Sequence, residues 1–191
     1  LSFFNLNDII IDGNTISSLD YVRQRWLDND FFGTTFSLNY KKNKTDIIFG
    51  GAANRYLGKH YGDVIWTEYN IPSIGRYYNN FGNKDDVNVY AKLSQQINKL
   101  NLFADVQYRY VKYQANSYEF DDVNDAFSFV NPKVGVNYQY NTKNTFYGFA
   151  GIGNKEPRRS DYEDEKIKPE RLYDYELGWK YNTKKVKLSA N

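Results

Sequence analysis

The connections between strands constrain this chain more than the strands do. Four reversals are short, polar and rich in Asn and Lys: Lys41-Lys42-Asn43-Lys44, Asn98-Lys99-Leu100-Asn101, Asn141-Thr142-Lys143-Asn144 and Asn182-Thr183-Lys184-Lys185. Such residues suit tight hairpins, because Asn tolerates left-handed backbone and its side chain can close a turn. The connections between these reversals, near residues 57–86, 115–130 and 154–169, read as loops of about 16 to 30 residues, well above hairpin length. Short and long therefore alternate strictly. A soluble meander has no physical reason to gather every long connection at one end. A sheet that crosses a bilayer does, with tight turns on one side and long loops on the other.

Between the connections the hydrophobic period is two. Val87, Val89, Ala91, Leu93 and Ile97 share one face, and Asn88, Tyr90, Lys92, Ser94 and Gln96 the other. Leu102, Ala104, Val106, Tyr108 and Tyr110 oppose Asp105, Gln107 and Arg109. Tyr173, Tyr175, Leu177, Trp179 and Tyr181 oppose Asp174, Glu176, Gly178 and Lys180. The pattern predicts an all-β fold, an antiparallel up-and-down meander of eight long strands near 23–40, 45–57, 86–97, 102–114, 131–140, 145–154, 171–181 and 186–191. Residues 1–22, with the turn signal Asp12-Gly13-Asn14, read as the end of a preceding strand and a loop. Alternation by itself favours a half-buried soluble sheet. The loop lengths favour the barrel wall over that alternative, a soluble β-rich ligand-binding or adhesion domain.

Composition removes several function classes. The 25 Lys and Arg nearly balance 23 Asp and Glu, so no broad basic field is available and no nucleic-acid partner is expected. With 19 Tyr, 13 Phe and 3 Trp the chain is too aromatic to be disordered. It has no Cys, hence no disulfide, zinc–thiolate site or thiol nucleophile. No phosphate-binding Gly motif, H-E-x-x-H or G-x-S-x-G occurs. His60 is the sole histidine and cannot form a His-rich metal site or a recognisable triad. Asp121-Asp122-Val123-Asn124-Asp125 lacks EF-hand spacing and reads as a solvated loop. No catalysis, cofactor or metal is expected. No apolar run reaches the length of a transmembrane helix, which leaves membrane-crossing strands open. The chain opens at Leu1 without Met or a signal peptide, and is expected to be a fragment.

Gly153-Asn154-Lys155-Glu156-Pro157-Arg158-Arg159-Ser160-Asp161-Tyr162 resembles the N-R/K-E-P-x-R-x-D-Y/F signature of TonB-dependent outer-membrane receptors. Lys168-Pro169-Glu170-Arg171-Leu172-Tyr173-Asp174-Tyr175-Glu176-Leu177-Gly178-Trp179 is similar to that family's K-P-E-x-x-x-D/N-Y-E-L-G strand. Arg25 to Thr35 and Gly50 to Gly58 support the likeness, which runs from about residue 20 to the end. The resemblance implies part of a 22-stranded transmembrane barrel in the outer membrane of a Gram-negative bacterium, with residues 1–22 including extracellular loop. It implies import of a scarce small-molecule ligand such as a ferric siderophore, haem or cobalamin. The implied partners are outer-membrane lipid, a plug domain, the remaining strands of the receptor, and the TonB complex reached through a missing N-terminus. Plug and TonB box are expected to lie outside this chain.

Two groups of residues are candidates for ligand contact. In the loop expected at 57–86, His60, Tyr61, Trp66, Tyr69, Arg76, Tyr77, Tyr78 and Phe81 interleave aromatic and polar groups, which suits capture at low entropic cost. The alternative is a loop that folds back on its neighbours and buries its own aromatics. Near the signature, Arg158 and Arg159 offer guanidinium forks to an anionic ligand. They could instead pair with Asp161, Glu163, Asp164 and Glu165 and fix the loop to the rim.

Overall fold

The computed structural model describes residues 8–71, 75–116, 122–163 and 168–191. Its reversals follow turn chemistry. Strands β1 (Ile9–Ile11) and β2 (Asn14–Ile16) pair as a two-stranded ribbon about Asp12-Gly13. Both turn residues have positive φ, 50° and 78°, as a type I′ turn requires. β3 (Tyr21–Lys42) and β4 (Thr45–Thr67) are joined by Asn43-Lys44, and β5 (Arg76–Ile97) and β6 (Leu100–Ala115) by Asn98-Lys99. Asn43 and Asn98 sit at φ 54° and 51°, where a short polar side chain is tolerated. Between β7 (Val123–Gln139) and β8 (Asn144–Lys155), the Asn141 carbonyl Oδ1 accepts from the N–H groups of Lys143 and Asn144 at 2.9 and 2.8 Å. Between β9 (Glu170–Asn182) and β10 (Lys187–Ala190), Thr183 Oγ1 accepts from the Val186 N–H at 3.0 Å. The first two turns are shorter than the four residues expected, because Leu100 and Asn101 already belong to β6 and Lys41 and Lys42 to β3.

Strands β3 to β10 form one eight-stranded antiparallel sheet in sequence order. All eight expected strands are present, and the architecture is the expected meander. The four tight turns gather at one end. Gln96 N donates to Lys44 O at 2.9 Å, Gln139 N to Lys99 O at 2.8 Å, and Asn182 N to Lys143 O at 2.8 Å, so each turn is stitched to the next.

The strands run further than alternation predicts. β4 continues to Thr67 and β5 starts at Arg76, so most of 57–86 is strand rather than loop. β7 likewise starts at Val123, inside the expected 115–130 loop. The reason is local. Gly58, Lys59, His60, Gly62 and Asp63 break the alternation, yet Gly62 lies directly against the Tyr77 and Tyr78 rings across the hairpin. Aromatic side chains on a glycine give the pairing the contact area that alternation usually announces.

The chain divides into two compact units, each taken by itself: residues 1–31, 56–84 and 113–124, and residues 32–55, 85–112 and 125–191. The second unit shows two unlike faces. On one, Val134, Val136 and Tyr138 of β7 lie opposite Ala150, Gly148 and Phe146 of β8, which lie opposite Tyr175, Leu177 and Trp179 of β9. This face is open: Val134 is 55% exposed, Tyr175 76% and Leu177 80%. The other carries Asp174, Glu176 and Lys180 across from Gly151, Phe149 and Thr145. Gly178 lies there beneath the Tyr147 ring, where an added Cβ would overlap it. Among the described residues the buried hydrophobic side chains are only Val111, Ala115, Phe129 and Tyr162. A sheet with an apolar face and so little core is one layer of something larger, since soluble sheets bury that face against a second layer. Aromatic pairs mark the turn end: Tyr138 and Tyr140 at 6.4 Å between centroids, Trp179 and Tyr181 at 6.2 Å. Trp179 Nε1 donates to Asn144 Oδ1 at 2.9 Å, keeping its polar end satisfied beside the turn.

Candidate functional site

In the second unit, signature residues join a polar network that starts from Arg109, on the face opposite the apolar one. Arg109 of β6 lies between two carboxylates. Its Nη2 donates to Asp86 Oδ2 at 2.6 Å, and its Nη1 to Glu156 Oε2 at 2.8 Å. All three side chains are largely covered, with 20% of Arg109 and 12% of each carboxylate exposed. Forked, charge-assisted bonds of this kind are strong and directional. Beside them, Asn154 N and Nδ2 both donate to Asn131 Oδ1 at 2.9 Å. Asn131 Nδ2 donates to Gln107 Oε1 at 3.0 Å, and Arg171 Nε donates to Asn154 Oδ1 at 2.9 Å. The network ties β6, β7, β8 and β9 together at the level where β8 leaves the sheet.

Past β8 the chain makes a 3₁₀ turn, Arg159–Glu163. Asp161 closes it, accepting from the Arg158 N–H at 2.7 Å while its own N–H donates to the Arg158 carbonyl at 3.0 Å. Tyr162 is buried at 7% exposure. Glu156 pairs with Arg109, 47 residues away. Arg158 is exposed and Arg159 half-buried. Asp164 and Glu165, offered above as their partners, lie outside the described residues, as does Asp121 of the acidic run. On the same polar face, Phe103, Tyr147, Phe149, Asp174 and Glu176 surround a shallow hollow of about 390 Å³. Among the described residues no group of three His, Asp or Glu is placed to hold a metal ion.

The first unit brings several of the aromatic candidates together, on strands rather than in a loop. His60, Tyr61 and Trp66 are on β4, Arg76, Tyr77, Tyr78 and Phe81 on β5, and Tyr69 in the connection between them. The Arg76 guanidinium sits 3.9 Å from the centre of the Tyr61 ring, a cation–π distance. Its Nε and Nη2 donate to Asp63 Oδ1 and Oδ2 at 2.9 and 3.2 Å. These hydrogen bonds hold the Asp63 carboxyl below the usual carboxylate range, against partial desolvation and with the guanidinium charge assisting. Trp26 of β3 stacks on Tyr61, centroids 6.3 Å apart. Tyr77 and Tyr78 meet edge to face at 5.0 Å. Trp66 stands 53% exposed and Phe81 38%. Tyr69 is half-buried; its carbonyl accepts from Thr67 Oγ1 at 2.6 Å, and the Glu68 charge pushes its phenol up. Trp26 and Asp63 escaped sequence reasoning. Asp63 carried a weak signal, two residues from Tyr61 and hence on its side of an extended strand. Trp26 carried none, since its partner is 35 positions away.

The chain resembles solved transporters and uptake receptors in fold. It matches the copper transporter OprC with a TM-score of 0.70 at 13% identity, covering 86% of this chain and 30% of that one. It matches the ferric citrate transporter FecA with 0.61 at 12%, covering 83% and 25%. It matches the ferric yersiniabactin uptake receptor FyuA of Yersinia pestis with 0.58 at 16%, covering 92% and 29%. The chain thus spans between a quarter and a third of these proteins. A comparison with curated protein sequences gives no match. The family described as TonB dependent receptor-like, beta-barrel, matches residues 2–191, essentially the whole chain, and this protein belongs to that family.

Proposed function

We propose that the chain is a stretch of wall from an outer-membrane TonB-dependent receptor that imports a scarce ligand, with ferric siderophores, haem and cobalamin as the leading classes. The observation that carries this reading is the single-layer sheet with one exposed apolar face, one charged face, and tight turns stitched along one end. An apolar face of that kind is stable against lipid, and the charged face against an aqueous or protein-filled lumen. The apolar face is then the contact with outer-membrane lipid in a Gram-negative cell. The outer strands β3 and β10 have one sheet neighbour each and would continue into the remaining strands of the receptor.

In this reading the Arg109 network and the Asp174 and Glu176 hollow face a plug domain. Energy would come from the TonB complex acting through an N-terminal segment beyond this chain. Ligand capture falls to the aromatic and cationic group on β4 and β5, with Tyr61, Arg76, Tyr77, Tyr78 and Trp66 as contacts, His60 and Tyr69 beside them, and Arg158 and Arg159 at the rim. Arg76 over Tyr61 offers an anionic chelate a charge already oriented by Asp63. The test uses the full-length receptor in a Gram-negative host lacking its own uptake systems. Growth on one ferric chelate or haem as sole iron source, or on cobalamin when it is required, is expected to depend on the gene and on TonB. Recovery of the protein in the soluble fraction, with no growth on any of these, would overturn the reading.

A further inference from the structure

The apolar face of the second unit ends at three charges. Along β5 the exposed side chains run Val87, Val89, Leu93 and Ile97. Those ten residue steps measure about 33 Å along the strand, and about 25 Å across a membrane at a barrel's usual tilt. That is the height of a lipid-facing band. The next residue on the same face is Asp85. On β4 the face runs through Ile47 and Phe49 to Arg55, and on β6 through Val106, Tyr108 and Tyr110 to Lys112. The first charge past the band on each of the three strands thus falls at one place. Arg55 Nε and Nη2 donate to the two Asp85 oxygens at 2.5 and 2.8 Å, and Lys112 lies close enough for its charge to act on Asp85. Two cations share one carboxylate, and Arg55 remains 53% exposed. Just beneath, Ala53 supplies almost no side chain. Phe32, Val87 and Tyr110 stand around it, and the resulting crevice has a volume of about 620 Å³.

We propose that this crevice holds a phosphate-bearing lipid, its headgroup on Arg55 and Lys112 and an acyl chain against Phe32, Val87 and Tyr110. The site has a net positive charge at headgroup depth directly above a hollow of apolar side chains, and an anionic amphiphile complements both. Asp85 serves to position Arg55 by its two-point bond. The crevice lies at the end of the apolar band away from the tight turns, so the lipid belongs to the leaflet on the long-connection side.

The inference rests on the barrel-wall reading above, and the experiment separates the two. The full-length receptor, purified in a non-ionic detergent, is checked for a folded barrel by heat-modifiable gel mobility. It is then titrated with dipalmitoyl phosphatidic acid and, separately, dipalmitoyl phosphatidylcholine, with bound lipid counted by native mass spectrometry. Phosphatidic acid is expected to bind in preference to phosphatidylcholine. Lys112→Gln, which leaves the Arg55–Asp85 pair intact, is expected to weaken binding about fivefold, and Arg55→Gln about tenfold or more. Arg55→Lys should restore most of the affinity. A folded barrel whose phosphatidic acid binding is unaltered in Lys112→Gln and Arg55→Gln would overturn the lipid site and leave the barrel reading standing. Displacement by millimolar inorganic phosphate would overturn it too, in favour of a free-anion site. Absence of a folded barrel for the unaltered receptor would overturn both.

Discussion

Arg109 and Arg76 are the same side chain in two settings. Each makes a two-point bond to an aspartate, Arg109 to Asp86 in one unit and Arg76 to Asp63 in the other. Arg109 is largely covered and has a second carboxylate, Glu156. Arg76 is 48% exposed and has an aromatic ring beneath it. The difference separates architecture from recognition. A covered guanidinium with two carboxylates has no donor geometry to spare, and removing it takes the shared cation from two largely covered charges. An exposed one over tyrosine keeps a face toward solvent and loses little when it exchanges water for a ligand.

The largest expected effect comes from breaking the covered side. Arg109→Met should destabilise the full-length barrel by about 3–5 kcal/mol, because Asp86 and Glu156 stay largely covered and lose the guanidinium that bonds them both. Urea unfolding followed by gel mobility would measure it, and an unchanged midpoint would mean that water reaches both carboxylates freely. Next is Leu177→Lys, on the open face. A lysine facing lipid near the midplane costs about 2–4 kcal/mol, whereas on a face that met water the change would be close to neutral. Arg76→Gln comes third. It should weaken ligand binding several-fold in the full-length receptor and leave the unfolding midpoint where it was, the reverse of the Arg109 pattern. Smallest is a pH effect. Asp63 is held below its ordinary value in the folded chain, so its pairing with Arg76 is fully present above the ordinary carboxylate pKa of about 3.9 and is lost as pH falls through the lower folded value. The part of the tryptophan emission that Trp26→Phe removes should hold steady from pH 7 to about 5 and change only below that. A transition near neutrality would show that another group controls the cluster.

The same contrast explains what could be read from residues alone. β5 and β6 announced themselves by strict alternation from Val87 and Leu102 onward, and the turns by Asn43, Asn98 and Asn141. These are local properties, fixed by neighbours two to four positions away. The upper parts of β4 and β5 did not announce themselves, because a Gly62 covered by Tyr77 and Tyr78 looks like loop composition until the strands are paired. The Arg109–Glu156 pair was equally hidden: the two lie 47 positions apart in the chain, and only the fold brings them together. The signature around Asn154 marked the right place, where β8 leaves the sheet, while its partners Asn131 and Gln107 depended on cross-strand geometry. Of the capture candidates, Tyr61 and Arg76 meet each other, and so do Tyr77 and Tyr78.

The strand order has a kinetic consequence. Every strand in the eight-stranded sheet pairs with the strand before or after it in the chain, and β3 and β5 reach their partners through only two residues. Closing so short a loop costs little chain entropy. Each hairpin can therefore form before the next is made, and the finished edge of one is the template for the following one. Assembly can advance in chain order as a zipper whose growing end is always a bare strand. A lesion such as Arg109→Met, which strikes where β6 meets β5 and the chain leaving β8, should then stall that zipper midway and expose a sticky edge, rather than merely loosen a wall already built.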